Sequence, residues 1–363
     1  MTLRLTLLIN LVLFWLVACQ AVSPTPTPTP PPLADELIFY NWEEDLPQSV
    51  LEAFTRESGV KVNYLVYESQ EEAIDNMRAG QVYDVVVMES RFVGLLAREK
   101  LLAEINYQHV PNFKNISANF RDLAYDPGNK YSVPYNWGFT ALIVRSDLVE
   151  APVTRWADLW DPRYAGRVGL WRGQPREAIA LTLKSLGYSA SSENPAELAA
   201  ALDKLLALKP HLRFLEDYDP ANAGPALASG EIVIAMGYAS DVLMGRELNP
   251  AITYVLPQEG ALLWGDNFVI PANSPHPYTA ELFLNFLQRP EINAQVANEN
   301  LYATPNEAAY PLINPDLRNN PLVFPSNEDL KKAEIILPLS PEGQKLYDQI
   351  WQRFMDAAPP EKR

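Results

Sequence analysis

Residues 37–88 read LIFYNWEEDLPQSVLEAFTRESGVKVNYLVYESQEEAIDNMRAGQVYDVVVM. Leu37 to Tyr40 is a short apolar run of the buried-strand type. Leu46, Val50, Leu51 and Phe54 then recur at helical spacing, and Gly59 suits the left-handed residue that ends a helix. Val60, Val62, Tyr64 and Val66 alternate as a strand. Gln70 to Ala79 has helical character and stops at Gly80, and Asp84 to Met88 is a fully apolar strand. This strand–helix alternation predicts a parallel sheet with right-handed crossovers.

The same alternation resumes downstream. A second unit begins near Trp137. It has a strand at Arg167–Trp171, a helix from about Arg176 to Leu186 stopped by Gly187, and a buried strand at Ile232–Met236. Asn194-Pro195-Ala196-Glu197 is a helix start, with Asn as cap, Pro in the first turn and Glu at the third position. Phe268–Ile270 is a further short strand, and Ala280–Leu287 a helix.

Upstream, the chain opens MTLRLTLLINLVLFWLVAC, a basic residue followed by an apolar stretch too short to span a bilayer comfortably. It ends Leu16-Val17-Ala18-Cys19, which resembles the bacterial lipobox and implies cleavage before Cys19 and lipidation of its thiol. Residues 1–18 are thus expected to be a lipoprotein signal peptide. Residues 19–35 contain alternating Pro and Thr, which cannot form a helix or a central strand. They are expected to form an extended tether of roughly 50 Å at about 3.1 Å per residue.

Composition narrows the function. With 363 residues, of which 48% are hydrophobic, the chain can build two or three compact units and is not a disordered protein. A net charge of -16 argues against a nucleic-acid partner. A single Cys excludes an intrachain disulfide and a Cys-based zinc site. The three His residues, at 109, 211 and 276, are far apart in sequence and read as surface or packing residues. No phosphate-binding loop, nucleophile elbow, zinc-protease motif or dinucleotide fingerprint occurs, so neither metal nor cofactor is expected.

Ligands of open α/β sheets bind beyond the carboxyl ends of the strands. Asn41, Trp42 and Asp45 follow the first predicted strand, and Glu89, Ser90 and Arg91 follow the third. Gln174 and Glu177 follow the strand at 167–171, Tyr238 follows that at 232–236, and Trp264 and Asp266 precede Phe268. Taken singly, each ring is a good core residue and each acid a good solvated loop charge. Together they suit an amine, because ring faces attract ammonium groups and carboxylates accept charge-assisted hydrogen bonds from them.

At these residues the sequence resembles the bacterial spermidine/putrescine-binding proteins, substrate-binding components of ABC importers. The resemblance runs from about Leu37 to Phe354. It is carried by residues 37–62, by YDVVV at 83–87, by DPGNKYSVPYNWGFTAL at 126–142 and by WADLWDPRYAGRV at 156–168. LLWGDNFVIP at 262–271 and ANENLYATPN at 297–306 complete it. It implies a type II periplasmic-binding-protein fold, two α/β lobes with an interlobe ligand cleft. Lobe 1 would comprise 36–135 and 266–312, and lobe 2 136–265 and 313–358. The family's ligand-binding positions fall on Trp42, Glu177, Trp264 and Asp266, with Tyr238 where the family places Trp. Asp45 stands where the family has Tyr, Glu89 and Arg91 lie in a stretch where it has Ser-Thr-Tyr, and Gln174 replaces an Asp. Glu89 and Asp45 keep the site acidic. Arg91 is either held by one of them or binds a ligand carboxylate.

The implied function is capture without catalysis. A monomeric, lipid-anchored receptor facing the periplasm or cell exterior would bind a cationic amine and deliver it to permease subunits with a cytoplasmic ATPase. A zwitterionic amino compound, a ferric ion, or a signalling role on the same fold are the alternatives.

Overall fold

A computed structural model describes residues 30–218 and 222–357, so Cys19 and most of the expected leader and tether lie outside the described residues. The compact body begins at Leu33. Its first half follows the expected order: β1 (Glu36–Asn41), α1 (Gln48–Ser58), β2 (Lys61–Val66), α2 (Gln70–Arg78), β3 (Val85–Glu89) and α3 (Ser90–Arg98). Gly59 ends α1 at φ 80°, which it can adopt because it has no Cβ. β1 pairs in parallel with both β2 and β3.

β4 (Ser132–Arg145) is a long strand where the sequence suggested only a unit boundary. The second half then runs through β5 (Val168–Leu170), α4 (Pro175–Ser185), α5 (Pro195–Leu208), β6 (Leu212–Phe214), α6 (Gly224–Ser229), β7 (Ile234–Gly237), α7 (Ala239–Leu248) and β8 (Ile252–Val255). Asn194 caps α5 by accepting from the Ala196 N–H, whereas Glu197 accepts from the Ser192 hydroxyl instead of closing a capping box.

β9 (Leu262–Val269) is longer than the expected strand at 268–270 and contains Trp264, Gly265 and Asp266. α8 (Pro277–Leu287), α9 (Pro290–Asn300) and β10 (Glu334–Ile335) follow. The strand order is β2-β1-β3-β9-β4-β7-β5-β6, with β8 on β4 and β10 on β9. β9 runs antiparallel to β3 and β4, and β4 antiparallel to β7, so the sheet is mixed and not purely parallel. The first part of β4 pairs with β9, and its last residues, Ala141–Arg145, pair with β7 and β8.

Apolar packing divides the same way. Phe39, Phe54, Phe268, Phe283 and Phe286 pack together with β1 and β3, and a second group around Tyr40, Met77 and Leu96 covers the other face. Leu142, Trp156, Leu170, Ile234 and Met236 form the main core of the second half. β4 and β9 therefore tie together two half-sheets, each with its own core.

Candidate functional site

Three strand-to-helix junctions carry expected residues, two of them with the helix starting within two residues of the strand and one after a four-residue turn. β3 runs into α3 at Glu89–Ser90, β5 leads to α4 at Pro175, and β7 runs into α7 at Tyr238–Ala239. Each junction delivers one or more of the expected residues: Glu89 and Arg91, Gln174 and Glu177, and Tyr238. β1 ends at Asn41, and the loop to α1 turns through Glu44 at φ 55° before presenting Asp45. β9 contributes Trp264 and Asp266 from its interior.

Asp266 is 6% exposed and sits opposite Glu89 in the β3–β9 register and opposite Asn136 in the β4–β9 register. Two carboxylates thus face each other across adjacent strands. Burial, then the charges of Glu89 and Asp45, push the Asp266 carboxyl well above its ordinary value, and Arg91 only partly opposes this. Its Oδ1 is buried with no hydrogen-bond partner among the described residues. Glu89 is ion-paired to the Arg91 Nε, and burial raises its pKa against that pairing.

The other acids are held by neutral donors. Asp45 accepts from Asn41 Nδ2 at 3.1 Å and Asn136 Nδ2 at 3.3 Å, and its main-chain carbonyl accepts from the Tyr135 hydroxyl at 2.7 Å. Burial pushes its carboxyl up to about 6 despite these bonds. Glu177, 1% exposed, accepts from Thr140 Oγ1 at 2.8 Å and from the Tyr238 hydroxyl at 2.9 Å. Burial, then the nearby Glu89, push it up to about 7. Asn41 and Asn136, having spent their Nδ2 groups on Asp45, each leave a buried Oδ1 without a donor among the described residues.

Rings wall this group. Trp264 meets Tyr238 edge-on at 5.8 Å and Tyr302 edge-on at 5.2 Å. Trp42 packs on Tyr67 at 4.6 Å, and Tyr67 itself feels the charges of Asp266, Asp45 and Glu89. Gly138 makes room for the Trp264 indole, since a Cβ there would lie 2.6 Å from its Cζ2. The structure therefore gathers Trp42, Asp45, Glu89, Arg91, Glu177, Tyr238, Trp264 and Asp266 around one interior. Gln174 stands apart at the start of α4, half-buried, its side chain making no hydrogen bond among the described residues.

Asn41, Asn136, Thr140 and Tyr302 were not among the expected site residues. Asn41 was visible as the last residue before Trp42. Asn136 and Thr140 lie on β4, which was not read as a strand, and Tyr302 lies in the ANENLYATPN motif. Beside Glu89, Arg91, Trp264 and Ile336 the remaining space is about 10 Å³, room for about one water.

Acidic and aromatic groups gathered at strand ends, where two half-sheets meet across shared strands, define a receptor for a small solute on the type II periplasmic-binding-protein fold. Comparison with known proteins gives the same class. The family model for bacterial extracellular solute-binding proteins matches residues 49–325. The spermidine/putrescine-binding periplasmic protein of Escherichia coli strain K12 is 36% identical over 321 residues, covering 88% of this chain and 91% of that protein. The putrescine-binding periplasmic protein SpuD of Pseudomonas aeruginosa strain UCBPP-PA14 is 31% identical over 337 residues, covering 87% and 90%. A solved structure, a putative spermidine/putrescine ABC transporter from Listeria monocytogenes, superposes with a TM-score of 0.84 at 29% identity, covering 89% of this chain and 99% of that one. The chain belongs to the family of bacterial extracellular solute-binding proteins.

Proposed function

We propose that the chain is the extracytoplasmic receptor of an ABC importer and that it captures a polyamine or a related cationic amine. One observation carries this: Asp266 is a buried carboxylate with an oxygen that nothing among the described residues satisfies, among further acids that only neutral donors hold. A buried anion without a cation is costly, and a ligand ammonium would supply both the charge and the missing hydrogen bonds. The rings of Trp42, Tyr238, Trp264 and Tyr302 would line the methylenes and face the ammonium groups. The named ligands of the two curated relatives, spermidine and putrescine, fit this chemistry.

The space beside Glu89, Arg91 and Trp264 is about 10 Å³, too small for a polyamine, so entry there requires the half-sheets to part. We place the lobes at 36–135 with 266–312 and at 136–265 with 313–358, with β4 and β9 as the crossings about which they close. Lipidation at Cys19 would hold the receptor near its permease, and no helix among the described residues is long and apolar enough to cross a membrane. Its role is capture, with the solute released unchanged. Arg91, bound to Glu89, does not present itself as a carboxylate clamp, which favours the amine over a simple zwitterion.

Native mass spectrometry of the purified protein tests the assignment. A bound amine in the putrescine-to-spermidine mass range is expected. A preparation that carries no amine and takes up none at millimolar concentration overturns it.

A further inference from the structure

Arg91 is 6% exposed and packs its guanidinium 4.7 Å above the Phe92 ring. Glu89 lies against its Nε as an ion pair, yet Nε and Nη1 are both buried and neither makes a hydrogen bond among the described residues. The charged groups that face it are Glu89 on β3, Asp266 on β9, and Glu177 and Arg176 on α4. Among the described residues this interior therefore leaves orphan donors at Arg91 and at Trp264 Nε1, and orphan acceptors at Asp266, Asn41 and Asn136 Oδ1. An amine bearing ammonium groups alone would satisfy the acceptors, leave the donors unpaired, and bring like charge toward the guanidinium. A second requirement comes from Asp45 and Glu177, which have only neutral partners, so the ligand must be net positive. A ligand carboxylate on Arg91 would cancel that charge, whereas an uncharged carbonyl would not.

We propose that the site is built for a cationic amine with one uncharged, hydrogen-bond-accepting end, an N-acylated polyamine, whose ammonium pairs with Asp266 and whose carbonyl accepts from Arg91 Nη1. This rests on the amine-receptor reading above and narrows it to a ligand class. Arg91 is then the residue that sets specificity, and Glu89 positions it.

Titration calorimetry on the purified, ligand-stripped protein tests this with putrescine, spermidine, N-acetylputrescine, N1-acetylspermidine and 4-aminobutyrate. The expected result is that an acetylated amine binds about tenfold or more tighter than its parent, whose ammonium end leaves the donor unpaired, with 4-aminobutyrate weakest because its carboxylate cancels the net positive charge. Arg91→Gln should reverse that preference, and so should Glu89→Gln with Arg91→Gln, which removes both charges of the ion pair together. Equal or tighter binding of the parent amines, an unchanged preference in both variants, or tightest binding of 4-aminobutyrate overturns the inference while the amine-receptor reading stands or changes only in ligand charge. Failure of every amine to bind at millimolar concentration overturns that reading itself, and the inference with it.

Discussion

Asp266, Glu177 and Asp45 share a physical condition: each is an acid kept from water without a cation of its own. Burial raises all three, Asp45 to about 6 and Glu177 to about 7. An incoming ammonium needs them ionised, so binding must expel protons wherever the free protein still holds them. Affinity for an amine should therefore rise between pH 5.5 and 7.5, where Asp45 and Glu177 titrate, by up to about tenfold per pH unit for each proton released. Calorimetry in buffers of different ionisation heat would read the release directly, and a pH-independent affinity with no proton release would contradict it. Asp45 and Glu177 are legible in the sequence because they follow strands, where open sheets bind ligands, and Asp266 because it falls on a ligand-binding position of the family that the sequence resembles. Their partners are less so. Asn136 and Thr140 gain their role only through cross-strand register with Asp266 and through Glu177, and register is a property of pairing, not of local sequence.

At the scale of elements, the first five strands and helices of the body follow directly from apolar spacing and glycine stops. β4 did not. Pro134 offers no N–H and Gly138 packs nothing, so the stretch fails the local tests for a strand. Pairing with β9 on one side and β7 and β8 further on overrides that weakness, and a register shift between Pro134 and Asn136 accommodates the proline. β9 hid for a like reason, since Gly265, Asp266 and Asn267 are poor strand formers held by neighbours on both sides. Gly138 then has a specific duty, because Trp264 fills the space its missing side chain leaves. Gly138→Ala should push the indole from between Tyr238 and Tyr302, destabilise the fold by about 1–3 kcal/mol and weaken amine binding. Thermal melts and ligand quenching of tryptophan fluorescence check this, and wild-type values for both would show that the indole does not depend on the glycine. At the other end of the scale, Asn194→Ala should cost about 0.5–2 kcal/mol by removing the α5 cap, with ligand affinity unchanged. An affinity loss in that variant would mean that α5 is coupled to the site.

The whole molecule carries a formal charge of -16 with every acid ionised, and its interior acids supply their share of that charge only as pH rises. Because the folded pKa of Glu177 lies above that of an unfolded glutamate, the ligand-free fold holds the extra proton from about pH 4 to about 7. Its contribution to stability is therefore present at low pH and lost as pH rises through that interval. Glu177→Gln mimics the protonated acid, so the variant's melting temperature should gain on the wild type between pH 5 and 7.5. A constant difference would show that Glu177 does not titrate there. Two half-sheets sharing β4 and β9 place the acids at their junction, where the proposed closure would act. The account as a whole stands on Asp266 meeting a ligand ammonium, and titration of spermidine and putrescine into wild-type protein and Asp266→Asn measures that contact. A loss of about 2–5 kcal/mol in the variant is predicted, as for a buried charge pair deprived of one partner, and an unchanged affinity would contradict it.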